Sequence, residues 1–306
     1  MTTLRLGTRK SRLALVQSES MAEAIMKRAP GVRVELVPIV TQGDRDQKTP
    51  LPEIGGKGLF TKELEDGLLE GRIDLAVHSL KDLPTELPAG LALGAVPPRE
   101  TPLDALLTRE AAGLAALPPA ARVATSSLRR QAQLRLVRPD LALEEIRGNV
   151  DTRVRKLRDG GLDALVLAAA GLRRLGLEHE IREILPADVM TPAVGQGALA
   201  IEIRDGDSHT GSIIGLLDDA DTRASVTAER AFLGRLGGGC RTPIGALAHV
   251  EAGELRIHGV VAAPDGSASV RGERAGRAAD AASIGASLAD DLLARGAAVL
   301  LSGGAR

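Results

Sequence analysis

The chain has no tryptophan and no tyrosine, and Phe60 and Phe232 are its only aromatic residues besides histidine in 306 positions. Its cores must therefore be built from Leu, Val, Ile and Ala. Single-strand nucleic-acid binding needs aromatic stacking platforms, which two phenylalanines do not supply. A formal net charge of −1 gives no global attraction to nucleic acid or to an anionic membrane. One cysteine, Cys240, excludes an intramolecular disulfide framework, and a reducing, cytoplasmic setting is the simplest fit. No run approaches the roughly 18 apolar residues of a membrane span. Residues Met1 to Lys10 contain no apolar core, so no secretory signal is expected. The five histidines (His78, His179, His209, His249, His258) show no ligand spacing, so no metal is expected. Gly55-Gly56-Lys57-Gly58 lacks the ending of a phosphate-binding Walker loop, and no GxGxxG opens a helix after a strand.

What is present alternates. Strand patterns at Leu4–Gly7, Val32–Val40 and Ile73–Val77 are separated by helical patterns from Ser11 to about Lys27 and from Leu59 to Leu69. The pattern restarts with strands at Leu103–Leu107, Val123–Thr125, Leu141–Ile146 and Leu162–Ala168, and helices at Leu128–Val137 and Val150–Leu157. Such alternation predicts parallel sheets with crossover helices. Pro-rich segments at 97–102 and 191–197 bracket the second block, and the strand Ala198–Arg204 is expected to return to the first. Two crossings between two lobes make a double hinge that can close around a ligand. From about Asp219 a helix (Thr222–Leu236), a three-strand meander and a closing helix (Ala279–Ala294) predict a small α+β domain. The expected organisation is α/β: residues 1–97 with 198–217 as lobe 1, 98–197 as lobe 2 and 218–306 as the third domain. Polar, Gly- and Pro-rich residues 41–56 read as a mobile loop.

Chemistry concentrates at strand-to-helix turns. Segment 122–158 carries ten basic residues, nine of them Arg, against four acidic ones. Arg is the better fork for carboxylate and phosphate. Thr125-Ser126-Ser127-Leu128-Arg129-Arg130 and Arg147-Gly148-Asn149-Val150-Asp151-Thr152-Arg153 each follow a strand and open a helix. Ligands bind at such strand ends in doubly wound sheets, where helix N-termini add N–H donors. A solvated helix face accounts well for Arg135, Arg138, Arg155 and Arg158. It accounts poorly for Arg129, Arg130, Arg147 and Arg153, whose charge opposes the dipole of a first helical turn. Lobe 1 offers similar turns at Thr8-Arg9-Lys10-Ser11 and Ser79-Leu80-Lys81-Asp82. There Asp82 is either a turn residue or a carboxylate placed to steady a cation and move a proton. Cys240 follows Gly237-Gly238-Gly239. It is either a small buried hydrophobe or a thiolate open to covalent attachment of a bulky group.

Seven runs in this order resemble the porphobilinogen deaminase (hydroxymethylbilane synthase) family. They are Gly7–Leu15, Gly55–Phe60, His78–Pro84, Thr125–Gln131, Arg147–Arg153, Pro192–Gly197 and Gly238–Cys240. The resemblance implies a transferase of tetrapyrrole and haem biosynthesis that joins four porphobilinogen units head to tail. Ammonia is lost at each addition, and the linear product is released by water. It also implies two periplasmic-binding-protein-like lobes and a third domain carrying a covalent dipyrromethane cofactor on Cys240 by a thioether. Asp82 takes the catalytic role. Lys81, Asp82, Ser127, Arg129 and Arg130 are implied at the cofactor. Arg9, Ser11, Lys57, Ser79, Thr125, Arg147, Asn149, Arg153 and Arg174 are implied at the substrate. A monomer is expected, since no heptad or apolar repeat suggests an interface. The competing reading is a non-catalytic two-lobe protein that binds a small polycarboxylate or other anion. It accounts for the arginines but not for Asp82 or Cys240.

Overall fold

The computed structural model describes residues 2–45, 60–239 and 242–302. Lys57, Cys240 and most of the expected loop 41–56 lie outside the described residues. Up to Glu100 the chain lays down β1 (Thr2–Arg9), α1 (Arg12–Arg28), β2 (Val32–Ile39), α2 (Gln42–Arg45), α3 (Lys62–Leu69), β3 (Leu75–Ser79) and β4 (Leu91–Ala95). It continues with β5 (Asp104–Thr108), β6 (Arg122–Ala124), α4 (Leu128–Val137), β7 (Ala142–Glu144), α5 (Val150–Arg158), β8 (Ala164–Ala168), α6 (Ala169–Arg174) and β9 (Glu183–Leu185). Then come β10 (Leu199–Arg204), α7 (Ser208–Ile214) and α8 (Ala220–Arg235). The last elements are β11 (Ile244–Glu251), β12 (Glu254–Ala262), β13 (Ser269–Arg277), α9 (Ala281–Ala294) and α10 (Ala297–Leu301). By its internal contacts the chain divides into two compact units. One is Met1–Glu100 with Ala198–Arg223, the other Thr101–Gly197 with Ala224–Arg306.

Each unit holds a five-stranded sheet, ordered β2-β1-β3-β10-β4 in the first and β7-β6-β8-β5-β9 in the second. Three strands of each run parallel, as the βαβ alternation predicts. The others depart from the expected parallel sheet. β10 is antiparallel to both β3 and β4, and β5 is antiparallel to both β8 and β9. Neither β10 nor β5 enters its sheet through a helical crossover from a neighbouring strand, so the rule that makes βαβ neighbours parallel does not act on it.

Both faces of each sheet are covered, which is why the strands read as nearly continuous apolar runs. In the first unit Leu4, Leu6, Leu75 and Val77 pack with Ile25 of α1, while Ala76 of β3 and Ile73 join Leu64 and Leu68 of α3 on the other face. In the second, Leu106, Val123 and Val166 meet Leu134 of α4, and Leu107, Leu165 and Leu167 meet Val154 and Leu157 of α5. The C-terminal meander β11-β12-β13 is antiparallel throughout. It builds a separate core around Phe232, Ile257 and Leu288. Phe232 is fully buried, and truncating such a side chain to Ala costs about 3–5 kcal/mol. Helices α8 and α9 approach backbone to backbone at Gly285, where a Cβ would stand 2.0 Å from the Ala228 carbonyl oxygen. Only glycine fits there.

Candidate functional site

The candidate sites of the two units are built on one principle: a parallel strand ends, a turn follows, and the turn carries the candidate side chains. In the first unit β1 ends at Arg9, and Ser11 caps α1 by accepting from the Ala14 N–H at 3.4 Å. The Arg9 guanidinium lies 4.2 Å from the centre of the Phe60 ring, a cation–π contact. Phe60 is therefore a platform beside a candidate anion-binding arginine and not a core residue like Phe232. At the end of β3 the Ser79 hydroxyl is tied to Gln17 of α1, which donates from Nε2 at 3.1 Å. The next three residues, Leu80–Asp82, form one turn of 3-10 helix. Leu80 is buried and pins the turn, and its N–H bonds the Ala198 carbonyl at 3.0 Å. Asp82 follows on the outside of this turn, exposed. Its carboxylate makes no hydrogen bond or ion pair with any described residue. Lys81 beside it is half-buried.

In the second unit Ser127 caps α4, accepting from the Arg130 N–H at 3.4 Å. Thr125 is buried, and its hydroxyl accepts from the Ser127 N–H at 3.3 Å. Ser126 knits this turn to the next one, bonding both the N–H and the carbonyl of Ile146. Arg147 and Asn149 are thereby held next to the 125–127 turn. Gly148 has φ +113°, a left-handed conformation that other residues rarely adopt. Its carbonyl accepts from Arg153 Nε at 2.7 Å. Arg147 and Arg153 are half-buried, whereas Asn149, at the start of α5, is exposed. Arg174, at the end of α6, donates to the Gly197 carbonyl at 2.7 Å.

Arg129 and Arg130 are not on an open first turn. Both are buried, and both grip Asp104 of β5. Arg129 Nη1 donates to Asp104 Oδ2 and to the Thr191 carbonyl, each at 2.7 Å. Arg130 donates to Asp104 Oδ1 at 2.9 Å and to the Val166 carbonyl at 3.0 Å, and Gln196 also donates to Asp104 Oδ1 at 2.9 Å. Burial disfavours the charged form of Asp104, but the two guanidiniums outweigh it and hold the carboxyl well below the ordinary range. Burial pushes the Arg130 guanidinium down, with Asp104 opposing. Two buried cations against one buried anion leave one positive charge over. Asp104 and Gln196 are the residues that sequence reasoning missed as partners. The signal was a carboxylate opening an otherwise apolar buried strand, Asp104-Ala105-Leu106-Leu107, which demands a cation.

Arg135 and Arg138 are tethers, not the solvated face expected of them. Arg135 donates to the Pro264 carbonyl at 2.7 Å, and Arg138 to the carbonyls of Leu114 and Leu117 at 2.6 and 2.8 Å. The three glycines before Cys240 differ in purpose. Gly237 has φ +65° and closes α8 with paired bonds, its own N–H to the Gly234 carbonyl and that of Gly238 to the Leu233 carbonyl, both at 3.0 Å. Gly238 packs against Leu233 and Ile244, leaving no room for a Cβ, while Gly239 faces open space. Gly239 and Thr242, the described residues on either side of Cys240 and Arg241, bond each other through the Thr242 hydroxyl and backbone.

Two family models match, in order. The porphobilinogen deaminase dipyromethane cofactor binding domain covers residues 4–212, and the porphobilinogen deaminase C-terminal domain covers residues 224–294. A porphobilinogen deaminase of Roseiflexus castenholzii is 52% identical over 301 residues, 98% of this chain and 99% of that one. Another, from Syntrophotalea carbinolica, is 52% identical over 299 residues, 98% of this chain and 95% of that one. Among solved structures, a TRAP periplasmic solute binding protein of Desulfovibrio salexigens aligns with TM-score 0.42 and 14% identity, over 71% of this chain and 72% of that one. Family models spanning most of the chain, and relatives identical at half of all positions, show that it belongs to the porphobilinogen deaminase family.

Proposed function

We propose that this chain is a transferase that condenses four porphobilinogen molecules head to tail on a covalently held dipyrromethane primer, with loss of ammonia at each step. It then releases hydroxymethylbilane by addition of water, in the route to haem and other tetrapyrroles. Family membership supports the reaction. The observation that carries catalysis over mere anion binding is Asp82, an exposed carboxylate with no partner among the described residues, fixed on a short turn by Leu80.

The donor set suits the dipyrromethane group. Each pyrrole brings carboxylate side groups, and the start of α4 offers an excess positive charge beside Asp104. Arg129 Nε there is buried without a hydrogen-bond partner among the described residues. When bound, the group supplies the pyrrole carbon on which the chain is extended. Ser127, Arg129 and Lys81 would hold its carboxylates, Arg130, whose guanidinium nitrogens are engaged by Asp104, Val166 and Gln196, would add its positive charge, and Cys240 would anchor it.

Asp82 has two tasks toward porphobilinogen. It exchanges a proton at the aminomethyl nitrogen as that nitrogen leaves as ammonia. It then steadies the cation left on the substrate's pyrrole and takes the proton that restores aromaticity after the new carbon–carbon bond forms. Arg9, Arg147, Arg153 and Arg174 would bind acetate and propionate groups, with Lys57 alongside. Ser11, Ser79 and Thr125 would add hydroxyl hydrogen bonds to the substrate, as Ser127 would at the cofactor, while their oxygens also accept capping, turn or Gln17 bonds. Asn149 would add a hydrogen bond. We further propose a monomer in the cytoplasm. No helix of the described residues is long and apolar enough to cross a membrane.

The decisive experiment is the denatured intact mass, with mapping of the Cys240 peptide before and after incubation with porphobilinogen. A mass excess of two pyrrole units on Cys240 is expected. A Cys240 that stays bare after incubation, with no product formed, sinks the proposal in favour of a non-catalytic anion-binding protein.

A further inference from the structure

Beneath α3, His78 of β3 and Glu202 of β10 meet on one face of the first sheet. His78 Nε2 is 3.0 Å from Glu202 Oε2, and the two side chains are 3% and 0% exposed. Ala200 pairs with His78, so Glu202, two residues along, projects from the same face. Glu65 of α3 is buried as well, and burial pushes its carboxyl up, with Glu202 and His78 acting on it. Buried polar groups normally find hydrogen-bond partners. Among the described residues, seven buried side-chain nitrogen and oxygen atoms have none, and four belong to this trio: Glu65 Oε1, His78 Nε2 and both Glu202 oxygens. Nε2 and Oε2 thus approach closely outside hydrogen-bonding angles. The trio does not form a metal-binding group. Apolar side chains would fill the same space at lower cost, so the presence of these buried polar groups calls for a reason other than stability.

Their position supplies one. His78 immediately precedes Ser79-Leu80-Lys81-Asp82. The end of β3 is tied to α1 on one face by Ser79 and Gln17. On the other face the His78–Glu202 pair ties it to β10, one residue earlier. Arg9 belongs to that second face too: Gly7 pairs with Ala76, and Arg9 and His78 each lie two residues further along parallel strands. Among the described residues, the groups on the pair's face of the sheet are Glu65 of α3, the Thr61 hydroxyl just before α3 and, by register, Arg9 of β1. Phe60, under Arg9, immediately precedes Thr61, the residue that opens α3.

We propose that His78 and Glu202, capped by Glu65, are positioning residues for Asp82. Their contact across β3 and β10 sets where the following turn presents its carboxylate. The proposal rests on the catalytic reading of Asp82. No covalent step is involved.

The test uses the full chain carrying its cofactor, with His78→Leu and Glu202→Met combined. An apolar pair of similar size keeps the packing, so Tm is expected at or above that of the parent. If the pair positions Asp82, kcat falls by roughly tenfold to 10²-fold while KM for porphobilinogen stays near the parent value. A folded double variant with parental kcat overturns the proposal, as does a loss confined to KM. Should the double variant fail to fold, Glu202→Gln decides in its place, because it keeps the shape and replaces the carboxylate with an amide. A fall in kcat at unchanged Tm supports positioning, and parental kcat rejects it. Asp82→Asn is measured in parallel. If that variant keeps turnover, the catalytic reading of Asp82 fails and the positioning proposal falls with it. If it is inactive while the double variant works normally, only the positioning proposal falls.

Discussion

The two five-stranded sheets share a strand plan and carry opposite charge chemistry. Each buries a cluster of ionisable side chains against one face. In the second unit Asp104, Arg129, Arg130 and Gln196 exchange hydrogen bonds, every nitrogen of Arg130 has an acceptor, and among the described residues Arg129 Nε alone of the cluster's side-chain atoms lacks one. In the first, His78, Glu65 and Glu202 leave four buried atoms without hydrogen bonds among the described residues. Above the satisfied cluster lie arginines at turns, and after the unsatisfied one comes a bare carboxylate. The plan follows from βαβ patterning, whereas function follows from what is placed at the strand ends. On the proposed function, a largely satisfied cluster suits a wall that holds anions in one register, and an unsatisfied one suits a turn whose carboxylate does chemistry.

The largest expected effect tests the satisfied half. Asp104→Ala strands two buried guanidiniums and should destabilise the protein by about 3–5 kcal/mol in urea unfolding. If it costs no more than Glu202→Ala, the contrast between the clusters collapses. Because the Asp104 carboxyl is depressed in the folded state, its contribution is present above the ordinary carboxylate pKa of about 4 and is lost as pH falls below it. The parent should therefore converge on Asp104→Asn in strong acid. Next, Asp82→Asn should lower kcat by roughly 10²–10³-fold. Its unfolding midpoint should not move, since the side chain is exposed and makes no bond to a described residue. A drop in Tm would place Asp82 among structural residues instead.

Glu65→Gln sharpens the unsatisfied side. Burial raises the Glu65 carboxyl, so its effect on stability is favourable below the unfolded value of about 4.3 and is lost as pH rises through the folded one. Thermal melts should show Glu65→Gln gaining on the parent between acid and neutral pH, by a few degrees at most. A constant gap across pH would mean that Glu65 does not titrate in this range. The smallest effect is expected from Phe60→Leu, which removes the platform under Arg9. KM for porphobilinogen should rise about two- to fivefold, equivalent to about 0.5–1 kcal/mol, with kcat little changed.

Much of this was legible in the sequence where local chemistry decides. Helix α4 spans Leu128–Val137 as read, because Ser127 caps its start and Arg138-Pro139 stops it. Ser11 likewise marks the start of α1. Strands β4 and β9 went unread: one is broken by Gly94 and the other is three residues long. The direction of β5 and β10 was illegible, because apolar runs show burial but carry no arrow. Arg129 and Arg130 were found as functional candidates, yet their partner lies 25 residues away on another strand. Distance in sequence hides such pairs. Arg135 and Arg138 were misread because their acceptors are backbone carbonyls, which no side-chain pattern reveals. The turn that carries Asp82 was visible because Ser79-Leu80-Lys81-Asp82-Leu83-Pro84 combines a buried anchor with a proline stop.

The place of β10 between β3 and β4 also dictates an order of events during synthesis. When β4 leaves the ribosome, the first sheet still lacks an inner strand, and all of Thr101–Gly197 must be made before that strand arrives. Until then β3 and β4 present unpaired edges, the kind that recruits other chains. The second sheet needs no such wait, since β5 to β9 are consecutive. Of the two five-stranded sheets, the one that begins first is therefore completed last. The nascent N-terminal segment is where a folding helper would be needed and where a truncated chain would aggregate.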